Sequence, residues 1–344
     1  MNSNSSYISD KSLKHSNVNY KKLKEYTWNI DANIKNIKNI IPDDILEPVV
    51  IRGFYKKTFA YKCWNANTIG KYFGDALFDI EQYDSLEKYY SADKNLNINA
   101  TTKVGNYMKY LKKNQTEPFY YLAEVDVQEK IKDDEMPNDF DMYILNPNLA
   151  PIMIRQEPHA ENLFIGNNAS SGCHMHIEDN YILNQIFGSK TIFLFEFDDS
   201  NHMITKNSDS LKKALKITHC EFINFISNNF FDLDHSKFNN LYKVTLNPGD
   251  SLVIPPHWWH ATNGHGINCS LTTVLQRNNI NYLFYPTIKK NLWILYFIKK
   301  IGILESEDKL EYIDEVIEDN YMYIFSILSG LFFYLSKKSI NKII

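Results

Sequence analysis

The chain has 344 residues, 44% of them hydrophobic and 14% aromatic, which is enough to bury a large core. A formal net charge of -4 argues against a broad nucleic-acid-binding face, although a local basic groove stays open. The four cysteines are widely spaced and include no CxxC pair, so a zinc ribbon or disulfide framework is not expected. This cysteine usage, with no secretory signal at the start, predicts an intracellular, reducing compartment, cytoplasmic or nuclear.

The first half of the chain mixes polar stretches with short apolar runs. Residues 1–20 are rich in Ser, Asn and Lys and predict a disordered tail. The apolar, β-branched run at residues 47–54 predicts a buried strand. The other elements predicted here are a helix within 21–46, a helix and loops over 66–92, an exposed polar segment at 92–104, a short helix at 108–111, a strand at 119–122 and a surface loop at 129–139.

From Leu163 onward the pattern favours strands. The predicted strands are 163–166, 173–178, 189–197, 242–246, 252–254 and 269–275. Residues 207–230 have helical spacing and read as an insertion. Short strands without regular helix alternation favour a β-sandwich or barrel over a parallel sheet. We therefore expect a mainly β (α+β) domain over residues 21–280.

Residues 281–344 predict a C-terminal helical extension. Within it, residues 321–335 carry no charge, but a membrane-spanning helix needs about 20 apolar residues. The preferred interpretation is a buried or dimer-forming helix, which makes the protein a candidate homodimer. A tail anchor at 321–335 is the alternative.

Two clusters separated by about eighty residues carry the candidate chemistry. The first is His174-Met175-His176-Ile177-Glu178, and the second runs from Gly249 to His260 with the ending Trp258-Trp259-His260. Residues i and i+2 of a strand share a face, so His176 and Glu178 can approach one ion, and His260 can complete the set. Two histidines and a carboxylate are the ligands of non-haem Fe(II) oxygenases.

Four segments resemble the JmjC and cupin-like (cupin 8) 2-oxoglutarate oxygenases, particularly the branch that includes the factor-inhibiting-HIF asparaginyl hydroxylase. The late motif from Gly249 to His260 is the most specific. The other three are the opening strand at 48–53, the strand at 163–166, and His176-Ile177-Glu178 followed by residues 185–190 with the sequence QIFGSK. Together the four segments cover about residues 45–277.

The resemblance implies a double-stranded β-helix (jelly roll) with N-terminal and C-terminal helices, and an enzyme that uses Fe(II), 2-oxoglutarate and O2. By motif position, His176, Glu178 and His260 would bind the iron. Lys190 would pair with the distal carboxylate of 2-oxoglutarate, and Tyr121 would hydrogen-bond the same group. Asn184 and Thr272 would be further polar contacts to the co-substrate.

The spacing around the first cluster departs from the family pattern. His176 lies one residue too far from Gly166 and one residue too close to Gly188, and His174 has the opposite errors. A second ligand set therefore stays open, namely His174, His176 and His260, as in three-histidine dioxygenases. The set with Glu178 is preferred because it supplies the carboxylate that Fe(II) with 2-oxoglutarate usually has.

The resulting functional hypothesis is a dioxygenase that hydroxylates a protein side chain. A methylated lysine to be demethylated and a tRNA base are alternative substrates. Two further hypotheses differ in chemistry: a three-histidine dioxygenase that does not use 2-oxoglutarate, and a non-catalytic cupin-like binding module, since a fold does not guarantee a function.

Overall fold

Long antiparallel strands make up most of the described structure. A computed structural model describes residues 18–28, 40–41, 45–85, 98–115, 117–127, 158–174, 176, 180–196, 235–256 and 258–275. The strands in these ranges are β1 (Lys24–Thr27), β2 (Val49–Arg52), β3 (Leu77–Tyr83), β4 (Ile98–Lys103), β5 (Phe119–Asp126), β6 (Pro158–Asn167), β7 (Ser170–His174), β8 (Asn180–Glu196), β9 (Leu241–Leu246), β10 (Ser251–Ile254) and β11 (Trp258–Leu275).

Two strands of 17 and 18 residues, β8 and β11, organise the fold. They pair with each other along their length, from Trp258 opposite Glu196 to Leu275 opposite Asn180. The first half of β8 also pairs with β10 and its second half with β9. Likewise, β11 pairs with β7 near its start and with β6 near its end. Each long strand thus passes from one sheet layer to the other, which produces the predicted double-stranded β-helix, or jelly roll.

The hydrogen-bonded order of strands is β1-β2-β10-β8-β11-β6-β5-β3-β4, with β7 on β11 and β9 on β8. Irregular pairing interrupts the β8–β11 ladder between His265 and Ser270. Such bulges bend a strand and increase its twist.

Three α-helices of the described ranges contribute to one buried cluster: α1 (Phe59–Cys63), α2 (Ile69–Tyr72) and α3 (Val104–Lys112). The buried residues of α3 recur at helical spacing and pack on a core that includes Leu163, Ile165 and Leu271. The hydroxyl of Tyr107 donates to the Ile165 carbonyl at 2.8 Å and accepts from the Leu122 amide at 3.2 Å. This helix therefore fixes β5 and β6 relative to each other.

The structure confirms most of the predicted strands and lengthens several. It also places β3 and β4 where the sequence predicted a helix with loops and an exposed polar segment. Of the predicted strand at 173–178, Cys173 and His174 belong to β7, and residues 175, 177 and 178 fall outside the described ranges. Tyr20, which the prediction put in the N-terminal tail, packs against Phe193 and His235. The predictions for 129–139, 207–230 and 281–344 fall outside the described residues.

No helix in the described ranges is long and apolar enough to cross a membrane. The described cysteines, Cys63, Cys173 and Cys269, are free thiols.

Candidate metal centre and co-substrate pocket

The two sequence clusters meet in one open pocket of about 530 Å³ between the sheet layers. Its described walls come from β5, β6, β7, β8, β10 and β11. The pocket combines imidazoles, hydroxyls, one buried ammonium group, one carboxylate, one amide and apolar side chains. Its lining consists of Tyr121, Glu124, Asn162, Phe164, Ser171, His174, His176, Tyr181, Leu183, Lys190, Ile254, His260, Thr262 and Thr272.

Three of these side chains, His174, His176 and His260, offer ring nitrogens that all lie within 4.8 Å of one another. Their ring centroids are 4.2 Å apart for His174 and His260, 5.0 Å for His174 and His176, and 5.1 Å for His176 and His260. His174 and His260 face each other across the β7–β11 pairing, whereas His176 lies beyond the end of β7. Backbone pairing thus assembles the cluster from two distant segments.

The protonation of this cluster suits a metal ion. Desolvation lowers the pKa of His176 well below its ordinary value, and the neighbouring imidazoles lower it further. Desolvation also lowers the pKa of His260 well below its ordinary value, and the neighbouring His174 lowers it further. The Nδ1 atom of His260 lies 3.1 Å from the Trp258 carbonyl oxygen, which can only accept a hydrogen bond. Nδ1 therefore carries the hydrogen, and the lone pair of Nε2 is free to bind a metal.

His176 also stacks on Tyr181, with ring centroids 3.5 Å apart and an angle of 10° between the rings. This contact orients the one histidine of the cluster that no described strand holds. Glu178, the carboxylate of the preferred ligand set, falls outside the described residues. His176 and His260 belong to both predicted sets, and the described geometry brings His174 to them as the third nitrogen donor.

Lys190 places an ammonium group in the pocket wall. The residue is only 3% exposed, and its Nζ donates to the Ser270 hydroxyl at 2.7 Å and lies 5.4 Å from the centre of the Phe164 ring. Desolvation lowers the pKa of Lys190 to about 8. No ion pair to this ammonium group occurs among the described residues, so an anionic ligand would supply the missing countercharge.

Two other predicted contact residues, Tyr121 and Thr272, line the same pocket. Tyr121 fits because Gly166 has no side chain: a Cβ there would lie 3.0 Å from the Tyr121 ring. Burial, more than nearby acidic groups, raises the pKa of Tyr121, so its hydroxyl stays protonated and can donate. Asn184 does not line the pocket. Its Oδ1 accepts from the Ser251 hydroxyl at 2.6 Å, and this bond ties β8 to β10. Its amide nitrogen donates to the Ile182 carbonyl of the same strand at 3.2 Å.

Sequence reasoning missed five polar side chains in the pocket, those of Ser171, Thr262, Glu124, Asn162 and Tyr181. Thr262 is two residues beyond His260 in β11, so the two-residue period of a strand could have found it. Ser171 is three residues before His174, and Glu124 is three residues after Tyr121. Positions three apart face opposite sides of a regular strand, and both intervals contain a shift of pairing register that the sequence does not signal.

Two comparisons with known proteins bear on this architecture. No curated protein matches the sequence of this chain. The family model described as a cupin-like domain matches residues 44–289, well over half of the chain, and this span includes all the strands of the pocket. The chain therefore belongs to the family of cupin-like domains.

Proposed function

We propose that this protein is an Fe(II)- and 2-oxoglutarate-dependent oxygenase that hydroxylates a side chain of a protein substrate. The observation that carries the proposal is the presence of a three-imidazole cluster and a buried ammonium group in one pocket. Imidazole nitrogens bind divalent first-row metals, including iron. A buried cation without a described ion-pair partner suits the far carboxylate of a dianionic co-substrate.

His176 and His260 would hold the metal, with His174 as the third ligand in the described geometry and Glu178 as the alternative. A bound Fe(II) would supply the activation of O2 that side chains alone cannot provide. The protein's own part is to orient the co-substrate and keep water out. Lys190 would bind the carboxylate, with Tyr121 and Thr272 offering hydroxyls beside it. Phe164, Leu183 and Ile254 form apolar walls.

The first test is succinate formation from 2-oxoglutarate by the Fe(II)-loaded protein without any added substrate. His260→Ala should abolish turnover and lower the bound iron, because the cluster loses a ligand common to both sets. His265→Ala is the matched control, since His265 lies in the same strand but is exposed and outside the pocket lining. Equal turnover by a folded His260→Ala protein would refute the assignment.

A pair of variants decides which third ligand the metal uses. If Glu178 binds the metal, Glu178→Ala loses iron and turnover, while His174→Ala retains part of both. If His174 binds it, the two outcomes are exchanged. Iron content measured on the purified variants separates loss of the metal from loss of a later step.

The three-histidine cluster itself favours a second candidate, a dioxygenase that uses O2 but not 2-oxoglutarate. In that case the iron-loaded protein binds no 2-oxoglutarate and turns over its true substrate without it. Lys190→Met would then leave that turnover unchanged. A protein that binds neither iron nor 2-oxoglutarate would instead be a non-catalytic binding module.

A further inference from the structure

The short strand β7 contains an irregularity that brings His174 into the pocket. Ser171 and His174 both line the pocket although they are three positions apart. In a regular strand such positions point to opposite faces. If β7 were regular while Ser171 kept its place, His174 would face away from His176 and His260.

The irregularity is one extra residue on β7. His260 pairs with His174 and Thr262 pairs with Ser171, so Gly172 and Cys173 together stand opposite the single residue Ala261. Two residues opposite one is the definition of a β-bulge, and a bulge re-aims the side chains beyond it. Cys173 is fully buried. The extra residue is therefore what turns His174 to the pocket side.

Two hydroxyls hold the strands together next to this bulge. The Ser171 amide donates to the Thr262 Oγ1 at 3.2 Å, and the Thr262 amide donates to the Ser171 Oγ at 3.2 Å. The two hydroxyl oxygens are 2.9 Å apart, so they also share a hydrogen bond. Side chains here satisfy two backbone amides of paired strands, a task that carbonyl groups perform in a regular ladder.

We propose that the Ser171–Thr262 hydroxyl pair is a positioning element of the metal centre, because it fixes the register that sets His174 opposite His260. A slip by one residue would reverse the face to which His174 points. The pair acts through the strand pairing and does not itself bind the metal. The inference rests on the proposed metal centre.

The protein offers a matched control in the hydroxyls of Thr191 and Thr245, which are also 2.9 Å apart and also join two paired strands, β8 and β9. Neither of these two residues lines the pocket. Thr245→Val removes a cross-strand hydroxyl contact of the same length without touching the register of β7. It therefore shows what the loss of such a contact does to the fold alone.

The experiment measures Co(II) binding to the metal-free full-length chain by titration and by the visible absorption spectrum of the bound ion. We expect Ser171→Ala and Thr262→Val to weaken Co(II) affinity about 10-fold to 100-fold, the range seen when groups that orient metal ligands are lost. The spectrum should change as well, because one imidazole moves away. Thr245→Val should bind Co(II) as the wild type does, and Thr262→Ser, which keeps the hydroxyl, should restore the spectrum.

Circular dichroism and melting of the metal-free proteins show which variants are folded. If Thr262→Val does not fold, Ser171→Ala, which removes only one hydroxyl of the pair, carries the test. Unchanged affinity and spectrum in folded Ser171→Ala would overturn the inference while the metal centre stands. A wild type that binds no Co(II) would overturn the metal centre and this inference with it.

Discussion

Lys190 shows how a residue proposed to bind the co-substrate can oppose the stability of the fold. Its ammonium group is buried, and desolvation lowers its pKa from an ordinary 10.5 to about 8. The folded protein therefore binds this proton less tightly than the unfolded chain does. Below pH 8 Lys190 is charged in both the folded and the unfolded protein, and the folded protein bears the full free-energy cost of desolvating that charge. As pH rises from 8 towards 10.5 the folded state loses the proton first, and stability increases.

Replacing this charge should make the protein more stable and less able to bind an anion. A difference of about 2.5 in pKa corresponds to about 3 kcal/mol, part of which the lost Ser270 hydrogen bond offsets. We therefore expect Lys190→Met to raise the melting temperature at pH 7 by several degrees. Thermal melting at pH 7 and pH 10 measures this, and the gain should shrink at the higher pH. A lower melting temperature at pH 7 would contradict the account.

The same residue should make co-substrate binding depend on pH. Because the free ammonium group loses its proton near pH 8, the dissociation constant of 2-oxoglutarate should rise above that pH, by up to tenfold per pH unit. Calorimetric titration between pH 6.5 and 9.5 measures the slope. Lys190→Met should bind weakly at every pH without this slope.

Several side chains named from the sequence lie together in the structure, while their roles stay predictions. His174, His176, His260, Lys190, Tyr121 and Thr272 were all named from motifs, and all line one pocket. Lys190 was named from the QIFGSK segment of the family resemblance, and Tyr121 from its match to a tyrosine of the same family. Asn184 differs because its position on β8 turns it towards β10, where it bonds Ser251. Its contact with the co-substrate stays a prediction that the described geometry does not favour.

At the scale of elements, glycines at the irregular part of the β8–β11 ladder offer a test of the fold. Gly188 has φ +66°, and a Cβ there would lie 2.6 Å from the Ile267 carbonyl oxygen. Gly266 has nearly the same φ of +62°, but a Cβ there would meet nothing within 4 Å. The two positions thus share the backbone strain and differ in the clash.

Gly266→Ala should therefore cost only the left-handed backbone strain, roughly 1–2 kcal/mol. Gly188→Ala should cost that amount plus the overpacking term, for a total of about 3 kcal/mol or more. Urea unfolding of the two variants gives the free energies to compare. An equal loss of unfolding free energy in the two variants would mean that the backbone around Ile267 shifts easily to accommodate the added methyl group.

Some elements were beyond sequence reasoning for physical reasons. Among the described strands β4 pairs only with β3, so its polar sequence INATTK lies at an edge and resembles a loop. In β3 buried Phe78 and Ile80 alternate with exposed Leu77 and Asp79, but this pattern is short and Leu77 is itself apolar. The bulges in β5 and β7 depend on pairing with distant strands, which a local pattern does not encode.

At the scale of the whole molecule, metal binding should stabilise the fold, since the cluster exists only when β7 and β11 are paired. A metal at 100 times its dissociation constant adds about 2.7 kcal/mol. For a domain of this size that corresponds to a rise of roughly 5–10 °C in melting temperature. Scanning calorimetry with Co(II), then with added chelator, measures the rise and its reversal. His260→Ala should show no rise, and an equal rise in that variant would place the metal elsewhere.

The position of β11 also bears on how the protein folds. This strand pairs with β6, β7 and β8, and through β8 the network extends to β10, which joins β2 with Val253 opposite Val49. Contacts between residues so far apart in sequence close slowly, because the chain loses much entropy before they form. We therefore expect the histidine cluster to form only after β11 has been synthesised and has paired with β7. Metal uptake during refolding would then report when this one pairing is made.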